Sequence, residues 1–336
     1  MPGEGLIQKI GVSGLRKKLI AGAIVGIVLI SLVAGVAVSA RMTAGGGPAG
    51  SSRQGGAVGV VYISGVIVSG KDRAGLLEVQ SGSETVAEQL REAARNPEIK
   101  AVVLRLNSPG GTAPGAQEIA AEVDRLRAGG KKVVASVGDV AASGAYWIAS
   151  RADRIVANPG SLTGSIGVIM QTQDLRGLYE KIGVGTETFK SGPHKDMGSA
   201  TRAVTDEEKQ IFQSMVDDIY DQFLAAVAEG RKMDTARLRQ LADGRVFTGR
   251  QAYQAGLVDE LGNFRTAVGI AGEMAGLGRD PRLVEMRPRG FWQELLVSSG
   301  GSVWKKILGS ALPAEAPQMT GYPAVWLLCP VNALEK

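Results

Sequence analysis

Short unbroken apolar runs alternate with amphipathic stretches over residues 58–168. Residues 58–68, VGVVYISGVIV, read as a strand or strand pair broken at Ser64-Gly65. Residues 84–94 have a helical pattern, which Asn96-Pro97 ends. Residues 101–106, AVVLRL, read as a buried strand and run into Asn107-Ser108-Pro109-Gly110-Gly111. A helix is predicted from about Pro114 to Ala128, closed by Gly129-Gly130. Val133, Val134 and Val137 mark a second buried strand, Gly138-Asp139 a tight turn, and Ala142 the approximate start of a further helix. Residues 154–157 form a short strand leading into Asn158-Pro159-Gly160, and residues 164–168 the next strand or turn. Strand, turn and helix thus recur three times, without a strict sequence repeat. That alternation predicts an α/β domain.

Further along, Thr205-x-x-Glu208 is a capping box, and Asp206, Glu207 and Glu208 favour the positive end of a helix. Ile211, Met215, Ile219, Phe223 and Val227 form one apolar stripe on it, which predicts core packing or a subunit contact. Thr248 caps another helix, ending at Gly256. Residues 291–308 carry Phe291, Trp292, Leu295, Leu296, Trp304 and Ile307, which fit plain packing better than a membrane-surface helix.

The N-terminal pattern is different. Residues 19–40, LIAGAIVGIVLISLVAGVAVSA, contain no charge. As a helix they reach roughly 33 Å, enough to span a bilayer core. Lys9, Arg16, Lys17 and Lys18 precede the span, and only Arg41 follows it closely. The positive-inside rule then leaves residues 1–18 in the cytoplasm and the bulk of the chain on the outer face. Val38-Ser39-Ala40 has the small residues of a cleavage site, but the apolar region is long for a secretory signal, so an uncleaved anchor is expected. Residues 41–57 form a linker, rich in Gly, Ser and Pro from residue 43 on.

Composition narrows the chemistry. The 336 residues, 44% hydrophobic, can bury a sizeable core. Net charge is only +5, with no clustered basic face carrying interleaved aromatics, so no nucleic-acid partner is expected. The single cysteine, Cys329, excludes an intrachain disulfide and a Cys-x-x-Cys metal site. The single histidine, His194, excludes a His-rich metal site. No metal and no cofactor are expected.

One serine stands out against that background. Ser143 lies at the strand-to-helix junction among Ala141, Ala142, Gly144 and Ala145, and small neighbours allow another chain to approach its hydroxyl. A helix start also leaves free N–H groups and a partial positive charge beside it. Ser143 is therefore either an ordinary N-cap or a nucleophile. A nucleophile needs a base, and His194 and Lys195 are adjacent candidates. Lysine serves only when neutral, so its reference pKa of about 10.4 must fall by several units through burial. Such an amine needs an acceptor, and Ser165, bracketed by glycine in Thr163-Gly164-Ser165, is the candidate. An oxyanion needs converging N–H groups. Gly110, with Ser143 or Gly144, can supply them, whereas the bland reading of Asn107-Ser108-Pro109-Gly110-Gly111 is a simple turn.

Taken together, residues 104–111 (LRLNSPGG), 141–147 (AASGAYW), 162–168 (LTGSIGV), 190–196 (KSGPHKD) and 244–252 (GRVFTGRQA) resemble the signal peptide peptidase A family in its short single-domain bacterial form. The resemblance covers roughly residues 58–280. It implies a ClpP/crotonase-like fold behind the N-terminal transmembrane helix, in a peptidase domain over residues 58–290. It implies a Ser/Lys dyad with Ser143 as nucleophile, Lys195 as general base and Ser165 orienting the lysine. Gly110 and Gly144 would form the oxyanion hole. Remnant signal peptides at the outer face of the cytoplasmic membrane would be the substrates, and a homo-oligomeric ring the assembly. A crotonase-like acyl-CoA enzyme and a non-catalytic peptide-binding scaffold are the rival readings. Residues 291–336 are an extension to which the resemblance assigns no role.

Overall fold

The computed structural model describes residues 55–74, 79–286 and 326–328. The anchor expected over 19–40, the linker up to residue 54, and the extension from 291 on, apart from 326–328, lie outside the described residues. No helix among the described residues is long and apolar enough to cross a membrane.

Two sheets organise these residues. The smaller contains β2 (Val66–Val68), β3 (Arg73–Ala74), β4 (Val79–Gly82), β6 (Gly110–Thr112) and β13 (Trp326–Leu328), in the order β13-β6-β2-β4-β3. The larger contains β1 (Ala57–Ser64), β5 (Ile99–Ser108), β7 (Lys132–Ala142), β8 (Arg154–Ala157), β9 (Leu162–Gly164), β10 (Val246–Thr248), β11 (Glu260–Leu261) and β12 (Arg282–Glu285). Its order is β10-β9-β7-β5-β1-β12, with β8 also on β7 and β11 on β8. Its ladders are parallel except β9–β10. The helices described are α1 (Ser83–Arg95), α2 (Ala113–Ala128), α3 (Gly144–Ser150), α4 (Arg176–Ile182), α5 (Asp206–Arg231), α6 (Thr235–Leu241), α7 (Gly249–Ala255) and α8 (Phe264–Met274).

The apolar runs are unbroken because parallel strands bury both faces. On one face Val102, Leu104 and Leu106 of β5 join Val133, Ala135 and Val137 of β7 in a core with Leu90, Ile119, Val123 and Tyr146. On the other, Ala101, Val103 and Val134 meet Ala267, Val268 and Ala271 of α8. Each fully buried Val, Leu or Ile contributes about 1.5–3 kcal/mol relative to exposure. The result is the mixed α/β architecture that the alternation predicts.

Two local expectations change. Gly138-Asp139 is not a turn, since β7 runs straight through it. What shifts is the register with β5, between Leu106 and Ser108. Asn107 Oδ1 accepts from the Asp139 N–H (3.2 Å) and the Val140 N–H (3.1 Å), so the side chain satisfies amides that the ladder drops. Beyond that shift β7 changes neighbour, from β8 along Val134–Val137 to β9 along Val140–Ala142. In 164–168, Gly164 closes β9 and the next four residues have no regular structure.

The apolar stripe of α5 divides in two. Phe223 and Val227 are buried and Ile219 packs against the core, but Met215 is 42% exposed. The capping box is complete: Thr205 Oγ1 accepts from the Glu208 N–H (3.2 Å), and Glu208 Oε2 from the Thr205 N–H (2.9 Å).

Candidate active site

Ser143 is the corner between β7 and α3. Every residue of α3 is buried. Trp147 stacks on Phe223 of α5, ring centroids 4.7 Å apart. The Tyr146 hydroxyl donates to Leu257 O (2.8 Å), and burial pushes its pKa up. Just past the helix, Arg151 pairs with Asp124 of α2 (2.9 Å) and Glu229 of α5 (2.8 Å). The short helix is therefore held from three sides.

At that corner Ser143 adopts φ 51° and ψ −120°. The left-handed region costs a residue other than glycine on the order of 1–3 kcal/mol. An N-cap serine would accept a hydrogen bond from an amide of the first turn, but Ser143 makes none. Its Oγ is buried without a hydrogen-bond partner among the described residues. The N-cap reading thus fails on geometry. A strained backbone carrying an unsatisfied buried hydroxyl is the signature of a reactive position.

The surrounding amides are not equivalent. The Ser143 N–H is already donated to Gly164 O (2.8 Å), which removes it as an oxyanion donor. Gly144 occupies the first helical position, where an N–H has no intrahelical partner. A Cβ placed on Gly144 would lie 3.4 Å from Gly111 N and 3.7 Å from Gly110 Cα, so the helix start packs directly on the glycine pair. Gly110 has φ 110°, and its N–H donates to Ser108 Oγ (3.1 Å). Gly111, not singled out as a donor from the sequence, has its N closer than any other backbone atom to the Cβ position of Gly144. Its motif Gly-Gly was the only signal in the sequence.

Ser165 falls beside the corner through the register of β7 and β9. Ala142 pairs with Gly164, so Ser143 and Ser165 are the next residues on neighbouring segments. Ser165 is buried, has φ 49°, and donates its N–H to Arg245 O (2.9 Å). It lines a cleft of about 610 Å³ together with Val168, Ile169, Val216, Tyr220 and Gly244.

Lys195 is not brought to Ser143 within the chain. It is exposed, in a turn where its N–H donates to Gly192 O (3.3 Å). His194 is also exposed, with Nε2 3.5 Å from Glu207 Oε1, and has no link to Ser143. The residue after the lysine is better held. Asp196 receives two bonds from Arg202, Nε to Oδ2 and Nη2 to Oδ1, both 2.8 Å. Arg202 in turn grips Glu208, at the start of α5. These guanidinium bonds hold both carboxyls down, Asp196 well below the usual range and Glu208 at about 2. The sign follows: a depressed carboxyl adds stability that is complete above its unfolded value, about 4.3, and lost as pH falls through the folded one. In a carboxyl-carbon NMR titration Glu208 should therefore stay ionised at pH 4 and turn over near 2. A midpoint above 4 would mean that the Arg202 contact does not hold in solution.

Among the described residues no group of three or more His, Cys, Asp or Glu is arranged to hold a metal ion.

Comparison with known proteins bears on the segments of Ser143, Ser165 and Lys195. The model of Peptidase family S49 matches residues 125–278. Protease 4 of Salmonella typhi is 40% identical over 223 residues, 66% of this chain and 35% of that protein. A putative protease of Synechocystis is 41% identical over 208 residues, 62% of this chain and 74% of the relative. A putative signal peptide peptidase SppA of Enterococcus faecium is 41% identical over 174 residues, 52% of this chain and 51% of the relative. The chain thus spans about a third of Protease 4 and half of the Enterococcus protein.

Proposed function

We propose, on the premise that the chain belongs to peptidase family S49 and is an SppA-type peptidase, that it is a membrane-anchored serine endopeptidase. It hydrolyses remnant signal peptides at the outer face of the cytoplasmic membrane, through a Ser/Lys dyad on a ClpP/crotonase-like fold. One observation carries the reading: the buried, unpartnered Ser143 Oγ at a strained corner, packed against Gly110-Gly111.

The base comes from a neighbouring copy in a homo-oligomeric ring. Among the described residues of one chain Ser143 Oγ has no partner, and Lys195 is exposed. The cleft on which Ser165 opens is large enough to admit a lysine arm. Burial there favours the neutral amine, and Ser165 accepts its hydrogen bond. A substrate peptide lies extended along β6, as residues 326–328 do: β13 pairs antiparallel with it, Leu328 opposite Gly110.

The steps then balance as acyl transfer. Lys195 Nζ takes the proton of Ser143 Oγ as the oxygen attacks the peptide carbonyl carbon. The oxyanion accepts N–H bonds from Gly144 and Gly111, and from Gly110 once its N–H turns away from Ser108 Oγ. Protonated Lys195 gives its proton to the leaving amine as the C–N bond breaks. Water, deprotonated by the same amine, attacks the acyl carbon, the ester C–O bond breaks, and Ser143 recovers its proton.

A phosphonylating probe tests this directly. It should label Ser143, about 10²–10⁴-fold more slowly in Lys195→Ala, and at an unchanged rate in His194→Ala. Unlabelled Ser143 would return the chain to a scaffold or a thioester enzyme. Full labelling of Lys195→Ala would remove the lysine, and loss in His194→Ala would put the histidine in its place.

A further inference from the structure

The segment that carries Lys195 is mostly exposed. Phe189 is 88% exposed, and residues 183–191 are exposed throughout. A base must nevertheless be held within a fraction of an ångström of its hydroxyl, because a displacement of about 1 Å can cost on the order of 10²-fold in rate. Some other group must fix the lysine's backbone.

We propose that Asp196 is the positioning residue for Lys195, held by Arg202 and Glu208 as a rigid extension of α5. The proposal rests on the reading of Lys195 as the base. Three features of the geometry point to it. First, the grip on Asp196 is two-pronged and also reaches the backbone, since Arg202 Nη2 donates to Asp196 O (3.2 Å). A planar fork fixes orientation as well as distance. Second, the grip ends in buried structure. Glu208 is 2% exposed, and it accepts both from Arg202 and from the Thr205 N–H that opens α5. Third, the loop is closed on the same carboxylate. Lys190 Nζ donates to Asp196 Oδ1 (2.8 Å) and to Pro193 O (3.1 Å), tying down both ends of the turn that presents Lys195. Helix α5 is itself fixed to the serine helix of the same chain by the Trp147–Phe223 stack and the Arg151–Glu229 pair. The lysine loop is thereby referenced to the core, not to solvent.

The arrangement has no need of Asp196 as an acid or base. Its carboxylate is already committed to Arg202 and Lys190. Its role is to set where the neighbouring amine points. Asp196→Asn keeps the shape and loses the charge-assisted bonds.

The test is kinetic, on the full chain. Asp196→Asn should lower kcat roughly 10- to 100-fold while KM stays at the wild-type value, and the melting temperature should fall with the lost Arg202 and Lys190 bonds but leave the protein folded at the assay temperature. Arg202→Lys keeps the charge but not the fork, and should show the same split less strongly. The decisive measurement is the residual rate of Ser143 phosphonylation in the Lys195→Ala background. There the added Asp196→Asn change should cost nothing further, because nothing is left to position. An unchanged kcat in both single variants would overturn the proposal. So would an Asp196→Asn loss of the same size with and without Lys195. If Lys195→Ala itself is fully active, the base assignment fails and the positioning role with it, an outcome separable from the other two.

Discussion

Co-expressed Ser143→Ala and Lys195→Ala chains should hydrolyse peptide although each alone is inactive. The expectation follows from where the two groups sit. Ser143 Oγ is buried and has no partner among the described residues, whereas Lys195 is exposed on a loop anchored to the start of α5. If a site is built between protomers, the Lys195→Ala chain supplies an intact serine and the Ser143→Ala chain an intact lysine. In a randomly mixed 1:1 ring, about a quarter of interfaces join the two intact groups, so activity should return to about a quarter of wild type. A site built within one chain predicts none, since neither variant carries both groups. Each homogeneous variant should lie about 10²–10⁴-fold or more below wild type, the scale of a lost general base. The same mixture treated with the phosphonylating probe should label only the Lys195→Ala chain. Inactive mixed assemblies would place serine and lysine in one chain, and the loop would have to move to join them.

Much of this arrangement is legible in the sequence, for identifiable reasons. The strand at 101–106, the capping box at Thr205 and the helix cap at Thr248 are local signals, and all appear as read, with Thr248 and Gln251 completing a capping box of their own. The Ser143 corner is also local: a Val-rich strand, then small residues that let α3 pack against Gly110-Gly111. Gly138-Asp139 misleads because the Asp139 and Val140 amides are satisfied by Asn107, 32 and 33 residues earlier, and no periodicity reports such bonds. The smaller sheet, apart from β2 in the strand pair broken at Ser64-Gly65, is invisible for a similar reason. Its strands are two to four residues long, too short to show alternation, and they pair across distant segments. The Asp196–Arg202–Glu208 relay joins a loop to the start of α5 across a stretch with no regular apolar pattern, so nothing in the sequence announces it. Motif order names Ser143 and Lys195 but carries no information on whether one chain or two supply them.

Gly111→Ala should cost both stability and activity, because the added methyl has nowhere to go. Its Cβ would lie 1.9 Å from Ile67 O and 2.6 Å from Ile67 C and N. All three are backbone atoms of β2, the strand paired with Gly111, so no rotamer change relieves the contact. The two strands must part, and overpacking of this kind costs typically 1–3 kcal/mol, occasionally more. The second effect is local to the chemistry. Gly110 and Gly111 face Gly144 with room for no more than a methyl between them, so a displaced β6 withdraws its N–H groups from the corner at Ser143. A shift of about 1 Å there can remove on the order of 10²-fold in kcat/KM, beyond what the fall in folded fraction explains. Gly130→Ala is the control for backbone strain alone. Gly130 has φ 87° and open space around its Cβ position, far from the corner in the fold's α2–β7 turn. It should lose about 1–2 kcal/mol and keep wild-type kcat/KM. Denaturant midpoints and Ser143 phosphonylation rates on both variants separate the two effects. Wild-type labelling in a folded Gly111→Ala protein would show that β6 does not serve the oxyanion.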